Sequence, residues 1–375
     1  MYIYFICIFF AVTISYFIKE KYEIGYSGYK IKKKLIINNT RYITIVLKTC
    51  CMLLPIAVSA LRYEVGTDYT ATYYDGFVRV NTVGNAHDQF DIGYQFLNIL
   101  LYQISTNPQI VFIVTSVLFG IFTFKAIYSS STDIMFSVFL LFGTRYYFIS
   151  MNVVRQFVAM AMVLYATKYI FTREYKKYIC FVIIAGLIHY MVLLSLLFLV
   201  LPKIRLNQKK FISSFFIMFA LFVLAQLHII ESVVQKVLGG TRYAHHFENA
   251  GLFSGEKFTA FTFTLNLILL IIFFINYKQR KNDKRYMLYI NAQLITTMLC
   301  TLMTSVHLIE RVYYIFGFMQ ILSIPYMINL YKFKDVRMTL KIGTVIFFSA
   351  YCYWDIFMKF DHQVVPYKSI FEMNS

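Results

Sequence analysis

Apolar runs of ~17–25 residues recur along almost the whole chain, and they restrict the fold more than any other feature of the sequence. As an α-helix, each run is long enough to cross the ~30 Å hydrocarbon core of a bilayer. Charged residues make up only 14% of the chain, whereas soluble domains average roughly 25%. The sequence therefore predicts an all-α polytopic membrane protein with one integral membrane domain over residues 1–375.

The predicted spans together give a bundle of about 10–12 transmembrane helices. They are 2–18, 42–60, 109–128, 134–150, 152–171, 178–201, 211–230, 259–277, 287–306, 310–331 and 342–358. The first span has no basic region before it and no small-residue cleavage site. We therefore expect it to be a membrane helix and not a cleavable signal peptide.

Positive charge is concentrated in short segments between the spans. The chain has 36 Lys and Arg against 18 Asp and Glu, and 23 of the basic residues share five segments with only five acidic ones. Those segments are 19–41, 172–177, 203–210, 278–285 and 332–341. By the positive-inside rule they are predicted to be cytoplasmic, which accounts for the charge without nucleic acid as a partner.

The remaining hydrophilic segments have the opposite balance. The segments 61–108, 231–257 and 359–375 hold seven basic and ten acidic residues. We therefore expect two sizeable outer loops, 61–108 and 231–258, and we expect both termini to lie outside.

Simple counting of crossings conflicts with this charge pattern. If the N-terminus lies outside and every predicted span crosses the membrane once, the segment 203–210 also lies outside. That segment, however, has four basic residues and no acidic one. A re-entrant pair of half-helices over 178–201 removes the conflict, and a span assigned wrongly elsewhere is the alternative. Gly186 and His189 lie near the middle of 178–201. Irregular backbone at that depth is tolerated where protein or a wet cavity covers it.

Arg155 lies inside the apolar run 147–171, where a charged side chain costs at least ~2.5–3.5 kcal/mol. On one continuous helix, Asn152, Arg155 and Gln156 would share a face, which must point to the bundle or to a water-filled cavity. The donor fork of arginine suits phosphate and carboxylate oxygens. This pattern predicts a substrate-binding face, and a buried polar knot between helices is the alternative.

A second polar group lies at a predicted outer span boundary. His307, Arg311 and Tyr314 follow one another at helical spacing, and Glu310 lies beside them. The group fits either a binding role or an interfacial arginine that reaches toward water with Glu310 as its partner.

The outer loop 61–108 mixes aromatic residues with charged ones. They include Arg62, Asp68, Tyr69, Tyr73, Tyr74 and Asp75. Gly66 and Asp68 suit a turn. Tyrosine faces and carboxylates together suit sugars, and an ordinary exposed hairpin is the alternative.

The same loop ends in a short amphipathic stretch. Its apolar residues recur at helical spacing and are Ile92, Phe96, Ile99, Leu100 and Ile104. The stretch is too short to span easily, so we expect it to lie in the membrane interface or to line a groove.

The cysteines and histidines do not form a metal-binding pattern. All six cysteines fall in apolar runs and no C-x-x-C spacing occurs, so we expect buried thiols and neither metal nor cofactor. The pair His245–His246 lacks further ligands at metal spacing.

Several short motifs follow one another in the order typical of one family. They are LRYEVGTDYTATYY, FDIGYQFLN, NVVRQFVAMAM, AGLIHYMVLL, TRYAHHF and ERVYYIF. Through these motifs, residues 55–330 resemble the EpsG/Wzy-like bacterial polysaccharide polymerases. Where that family usually has a glutamate before x-G-Y, this chain has Asp91, a carboxylate on a shorter arm.

The resemblance implies a metal-independent membrane glycosyltransferase. Such an enzyme joins undecaprenyl-diphosphate-linked oligosaccharide units into a capsular, exopolysaccharide or O-antigen glycan at the outer face of the bacterial plasma (inner) membrane. The implied partners are the lipid-linked substrate, membrane lipid and a chain-length regulator. The alternatives are a transporter or flippase of lipid-linked glycan and a membrane acyltransferase that modifies surface polysaccharide.

The same chemistry assigns expected roles to the candidate residues. Cations offset charge on the leaving diphosphate, and the candidates are Arg155, Arg311 and Arg62. A base near the acceptor hydroxyl is needed; we favour Asp91 over Asp68, with His189 as the third candidate. The other expected substrate-binding residues are Asn152, Gln156, Arg242, Tyr243 and Tyr314.

The topology can be tested by cysteine labelling from outside intact cells. In a cysteine-free background, we expect Asn207→Cys to stay unlabelled by a membrane-impermeant maleimide, because 203–210 is predicted to be cytoplasmic. Strong labelling at this position would rule out the re-entrant interpretation of 178–201.

Overall fold

The computed structural model describes residues 2–18, 38–82, 90–227, 260–303 and 308–372, together with positions 229, 232, 233 and 236. Helices dominate these residues and no strand occurs among them, apart from an isolated antiparallel bridge between Arg62 and Ser369. The predicted all-α polytopic fold is confirmed. The chain divides into two compact units, Met1–Leu193 with Ile321–Ser375, and Leu194–Gln320.

The helices of the first unit that precede residue 190 share one packed body. They are α1 (Tyr2–Phe17), α2 (Asn38–Ala60), α3 (Asp75–Thr82), α4 (Ile92–Tyr102), α5 (Gln109–Ser130), α6 (Ile134–Gly143), α7 (Tyr146–Asn152), α8 (Val154–Phe171) and α9 (Tyr175–Ile188). Helix α5 packs between α2 and α8, and α8 packs in turn against α9. Helix α1 packs against α2 and α6, so the apolar runs cover one another.

The later helices follow a 3₁₀ segment, Tyr190–Leu199. They are α10 (Gln208–Gln226), α11 (Ala260–Ile275), α12 (Tyr277–Arg280), α13 (Lys284–Leu302), α14 (Leu308–Gly317), α15 (Gln320–Asn329) and α16 (Lys334–Cys352). Within the second unit, α13 packs against α10, α11 and α14. In the first unit, α16 packs against α6.

Three helical stretches among the described residues are long and apolar enough to cross a membrane, namely Tyr42–Ala60 in α2, the whole of α5 and α10. Two pairs of helices joined by short bends, α6 with α7 and α14 with α15, bring the number to five if each pair is one span. Other predicted spans correspond to shorter helices such as α1 and α11. By length and composition, the described residues thus supply up to five crossings, against the about 10–12 expected.

The run 147–171 is not one helix. Helix α7 ends at Asn152, Val153 leaves helical geometry with φ −90° and ψ +55°, and α8 begins at Val154. The expectation that Asn152 and Arg155 share one helical face is therefore wrong. Arg155 instead lies in the first turn of α8, where the helix begins.

The break predicted near the middle of 178–201 is confirmed at His189, which follows α9 with φ −153° and ψ +104°. The Cδ2 atom of Leu193 lies only 2.5 Å from the position of a β-carbon built on Gly186. Seven residues of straight helix would separate these two positions by about 10 Å along the axis. The chain therefore departs from a straight helix at His189, and the re-entrant pair with its return to the cytoplasmic side stays a prediction.

The C-terminal segment lies on the same face as the start of the outer loop. The amides of Tyr63 and Gly66 donate to the carbonyls of Lys368 and Gln363, at 2.9 and 3.1 Å. The Ile370 amide donates back to the Leu61 carbonyl at 2.9 Å. Both segments are predicted to lie outside the membrane. The hydrogen bonds between them agree with a location on the same side of it.

The aromatic residues early in the outer loop form a buried core. Tyr69 and Tyr73 lie in a π-helical turn, Tyr69–Tyr74, and both are buried. The Tyr69 ring stacks on Phe112 at 4.1 Å, and Tyr73 meets Tyr94 edge-on at 6.2 Å between centroids. The expectation that these two tyrosine faces stack on sugars is therefore wrong, as is the exposed hairpin, because the rings pack inside the protein.

Helix α4 confirms the predicted amphipathic stretch. One of its faces, with Tyr94, Asn98 and Leu101, is buried. The expected apolar residues on its other side and just beyond its end are 45–75% exposed, namely Ile92, Phe96, Ile99, Leu100 and Ile104. The buried face packs on the protein core and the exposed face is apolar, so α4 presents a surface suited to lipid, and its location in the membrane interface stays a prediction.

Gly93 sets how closely α4 approaches α9. A β-carbon on Gly93 would lie 2.7 Å from the carbonyl oxygen of Leu187 and 2.7 Å from its β-carbon. The backbones of the two helices are thus in contact. The contact lies two residues after Asp91 in the sequence of α4 and two residues before His189 in that of α9. Only glycine allows this approach without displacing α4.

We expect Gly93→Ala to lower the free energy of unfolding by about 1–3 kcal/mol, because the added methyl group would overlap the Leu187 backbone. Heat denaturation of the purified protein in detergent measures this. Gly343→Ala is the matched control, since no atom lies within 4 Å of a β-carbon at that position. Equal stability of Gly93→Ala and the wild type would contradict the close contact of α4 with α9.

Candidate functional site

The carboxylate of Asp91 lies between Arg155 and His189. Its Oδ2 atom is 3.8 Å from Nη1 of Arg155 and 3.3 Å from Nδ1 of His189. Each residue stands at a helix end: Asp91 directly precedes α4, Arg155 is the second residue of α8, and His189 directly follows α9. The fold therefore brings together three candidates that the sequence places far apart.

The three side chains are largely removed from solvent, with exposed fractions of 8% for Asp91, 11% for Arg155 and 6% for His189. The Arg155 guanidinium also lies over the rings of Phe90 and Tyr94, at 4.8 and 5.7 Å from their centroids. A nearby carboxylate and aromatic faces offset the cost of removing this cation from water. A buried ion pair adds little net stability because its desolvation is costly, so stability alone does not account for the cluster.

The geometry of His189 fixes which ring nitrogen can act as a base. In the neutral imidazole, an Nδ1–H group facing the Asp91 carboxylate leaves the lone pair on Nε2. A carboxylate that orients an imidazole in this way is the arrangement found in hydrolytic triads. The pair can therefore take up or release a proton at Nε2.

The start of α8 is suited to an anion. The first amides of a helix have no carbonyl partner within it, and they give that end a partial positive charge. The Arg155 amide points toward Tyr73 Oη at 3.5 Å, in the π-helical turn. The guanidinium of Arg155 and the start of α8 together supply the donors that bind phosphate groups in proteins.

Asn152 connects the outer loop to the C-terminal segment. Its Oδ1 accepts hydrogen bonds from Thr67 Oγ1 and from the Asp68 amide, each at 2.8 Å. Its Nδ2 lies 3.0 Å from Nδ1 of His362. These tertiary bonds hold the end of α7 and explain why the helix does not continue through Val153. The backbone of Asp68 thus lies next to Asn152, and Asp68 is partly exposed.

The loop bends toward Asn152 at Gly66, where the backbone has φ +102°. This left-handed conformation is favourable only for glycine. A β-carbon there would also come within 3.3 Å of the Met151 carbonyl oxygen. The turn predicted at Gly66 and Asp68 is thus present. It brings the loop into contact with the end of α7.

Arg62 is 1% exposed and is surrounded by protein acceptors. It donates to the Ser59 carbonyl, and to the Met151 carbonyl at 3.0 Å, so it ties the end of α2 to α7. Burial lowers the pKa of the guanidinium from its ordinary value, and the phenols of Tyr4 and Tyr69 oppose that shift. Arginine remains charged even so. The structure gives Arg62 a structural role, and its contact with substrate stays a prediction.

The remaining predicted site residues fall into three groups. Gln156 is fully buried in α8, with Nε2 3.7 Å from the sulfur of Met160. In the second unit, the Tyr314 hydroxyl donates to Glu310 within α14, and Arg311 is partly buried there. Arg242, Tyr243, His245, His246 and His307 lie outside the described residues.

Sequence reasoning missed a second polar cluster in the first unit. Arg145 pairs with Asp355, lies 3.3 Å from Asp361, and covers the ring of Tyr351 at 4.4 Å. His362 Nε2 lies 3.5 Å from the same Asp361. Two features of the sequence could have revealed this cluster: Arg145 lies between two apolar runs, and Asp355 lies inside the last predicted span. Charged side chains inside a membrane need partners.

Within the part of the chain that the structure describes, no group of three or more His, Cys, Asp or Glu side chains is placed to hold a metal ion. The cysteines there are all free thiols. Four are buried as expected, whereas Cys50 and Cys180 are exposed, so the expectation of buried thiols is wrong for these two.

Comparison with known proteins identifies a family. No curated protein and no solved structure matches the chain. The model of the EpsG family matches residues 45–369, which include all three residues of the Asp91–Arg155–His189 cluster. The chain belongs to the EpsG family.

Proposed function

We propose that this protein joins lipid-diphosphate-linked oligosaccharide units into a polysaccharide at the outer face of the plasma membrane. Membership of the EpsG family supports a polysaccharide polymerase-like function. The observation that carries the proposal is the Asp91 carboxylate held between Arg155 and His189. Such a cluster combines a cation for a phosphate group with a pair able to move a proton.

The proposed reaction transfers the growing glycan to a sugar hydroxyl. The hydroxyl oxygen of the incoming unit forms a bond to the anomeric carbon of the growing chain. The bond from that carbon to the diphosphate breaks, and the lipid diphosphate leaves with the electron pair. The hydroxyl proton passes to a base on the protein.

Arg155 and the start of α8 bind the leaving diphosphate in this proposal. Negative charge develops on the diphosphate as the bond to carbon breaks, and donors already in place stabilise it at little reorganisation cost. The cluster excludes most water, which strengthens these interactions.

His189 accepts the hydroxyl proton through Nε2, and Asp91 orients the ring. This reverses the order of preference obtained from the sequence, which put Asp91 before Asp68 and His189. The reason is geometric: Oδ2 of Asp91 already faces both Arg155 and Nδ1 of His189. Asp68 lies beyond Asn152 and is proposed to contact the acceptor sugar.

The exposed apolar side of α4 faces the lipid in this proposal. It begins at Ile92, directly after Asp91. A polyprenyl chain on that side would leave its diphosphate beside the cluster. We propose undecaprenyl diphosphate as the carrier, a capsular polysaccharide, exopolysaccharide or O-antigen as the product, and a chain-length regulator as a partner.

Substitution of Arg155 tests the diphosphate contact. Arg155→Lys keeps the charge but loses the donor fork, so we expect product formation from purified lipid-linked units to fall ~10²–10³-fold. Protein yield in the membrane should not change. Lys168→Met is the matched control, because it removes a cation from the other end of the same helix. Normal polymerisation by Arg155→Met would refute the role of this arginine.

The pH profile tests the base. A histidine base predicts that turnover falls from about pH 7 to pH 5.5, because the protonated imidazole cannot accept a proton. A carboxylate base predicts little change over that range, since unperturbed carboxylates titrate near pH ~4. The profile is measured on one defined lipid-linked substrate for the wild type, Asp91→Asn and His189→Gln. Turnover by His189→Gln close to that of the wild type would exclude His189 as the base.

The same assay separates a polymerase from a transporter. Glycan chains longer than the supplied unit, formed by purified protein, require bond formation. Movement of lipid-linked units across a vesicle without longer products would instead support the transporter alternative.

A further inference from the structure

The C-terminal segment contacts both ends of α7. At the first end, Arg145 pairs with Asp355 and lies 3.3 Å from Oδ2 of Asp361. At the other end, Asn152 lies 3.0 Å from Nδ1 of His362. Helix α7 has only seven residues and is wholly buried. We use the name C-terminal clasp for residues 355–363, which hold this short helix at its start and at its end.

The clasp keeps an unfavourable backbone conformation. Phe360, His362 and Gln363 have φ of 58°, 59° and 50°. The left-handed region is disfavoured for residues with a β-carbon. Backbone strain of this kind persists where surrounding contacts hold it, and it is concentrated at functional sites. Here the contacts come from the Gly66 and Thr67 amides, which donate to the carbonyls of Gln363 and His362 at 3.1 and 3.3 Å.

The hydrogen bonds of Asn152 define the proton positions on His362. The Asn152 oxygen accepts from Thr67 and Asp68, so its amide nitrogen is the group that faces His362. Nδ1 of His362 therefore accepts, and the neutral ring carries its proton on Nε2. Nε2 faces Oδ2 of Asp361 at 3.5 Å, and Asp361 in turn contacts Arg145.

We propose that His362 is a positioning residue for the reaction site, an inference that rests on the proposed function. One residue, Val153, separates Asn152 from α8, and Arg155 is the second residue of α8. A displacement of Asn152 therefore shifts the start of α8 and the guanidinium that binds the diphosphate. The same amide holds the backbone of Asp68 on the acceptor side. Through its hydrogen bond to Asn152, His362 contributes to both positions, alongside the bonds from Thr67 and Asp68.

Three substitutions test this role in the full-length protein in lipid nanodiscs. His362→Asn can present an oxygen where Nδ1 accepts, and asparagine tolerates φ near +60°. His362→Leu keeps a similar bulk but has no acceptor. His362→Gln stays polar but carries its amide group one bond farther from the backbone. It replaces His362→Leu as the test variant if the leucine variant folds poorly. We expect kcat/KM for lipid-linked units to fall tenfold or more in the Leu and Gln variants and to stay within threefold in the Asn variant.

Hydrogen exchange gives a second measurement that does not need activity. The amides of Gly66 and Thr67 should exchange faster in His362→Leu than in the wild type and in His362→Asn, whereas peptides from α5 should not change. Wild-type kcat/KM in both His362→Leu and His362→Gln would overturn the proposal. So would unchanged exchange at these amides. Failure of the wild type to join units would instead refute the proposed function, while the exchange difference would still report on the clasp.

Discussion

The ion pair between Asp91 and Arg155 is the interaction on which the rest of the candidate site depends. A guanidinium in an apolar environment needs a counter-charge, and Asp91 supplies it from another helix at 3.8 Å. Because Asp91 also meets His189, one carboxylate ties together the ends of α4, α8 and α9. The backbone contact at Gly93 allows this, since it sets the distance between α4 and α9.

Several charged and polar residues of the first unit stand where helices break. Arg155 and Asn152 flank the break at Val153, His189 is the break after α9, and Arg145 precedes α7 with φ +70°. Helix ends leave amides and carbonyls without intrahelical partners, so they attract charged and polar groups. Such ends occur inside membrane proteins where protein or a cavity covers them. The helix breaks therefore interrupt the spans, and they also position the side chains of the candidate site.

The second unit uses buried polar groups differently. The side-chain amides of Gln293 and Gln320 both donate to Oδ1 of Asn266, at 3.0 and 2.8 Å. Asn266 donates in turn to Tyr313 Oη at 3.3 Å. These neutral groups satisfy one another, as expected of hydrogen bonds that join membrane helices. Their chemistry contrasts with the charged cluster of the first unit, where a carboxylate, a guanidinium and an imidazole meet.

The sequence alone determined the all-α membrane fold and the amphipathic α4, and it favoured a break near His189, because hydrophobicity, helical period and loop charge are local properties. It also gave the three members of the cluster as separate candidates. Only the tertiary structure paired Asp91 with His189, buried Tyr69 in a core and placed His362 against Asn152. It also ended α7 at Asn152, where local helix preference predicted continuation. Such contacts join residues about 40 to 210 positions apart, and they depend on how helices pack, which no local pattern encodes.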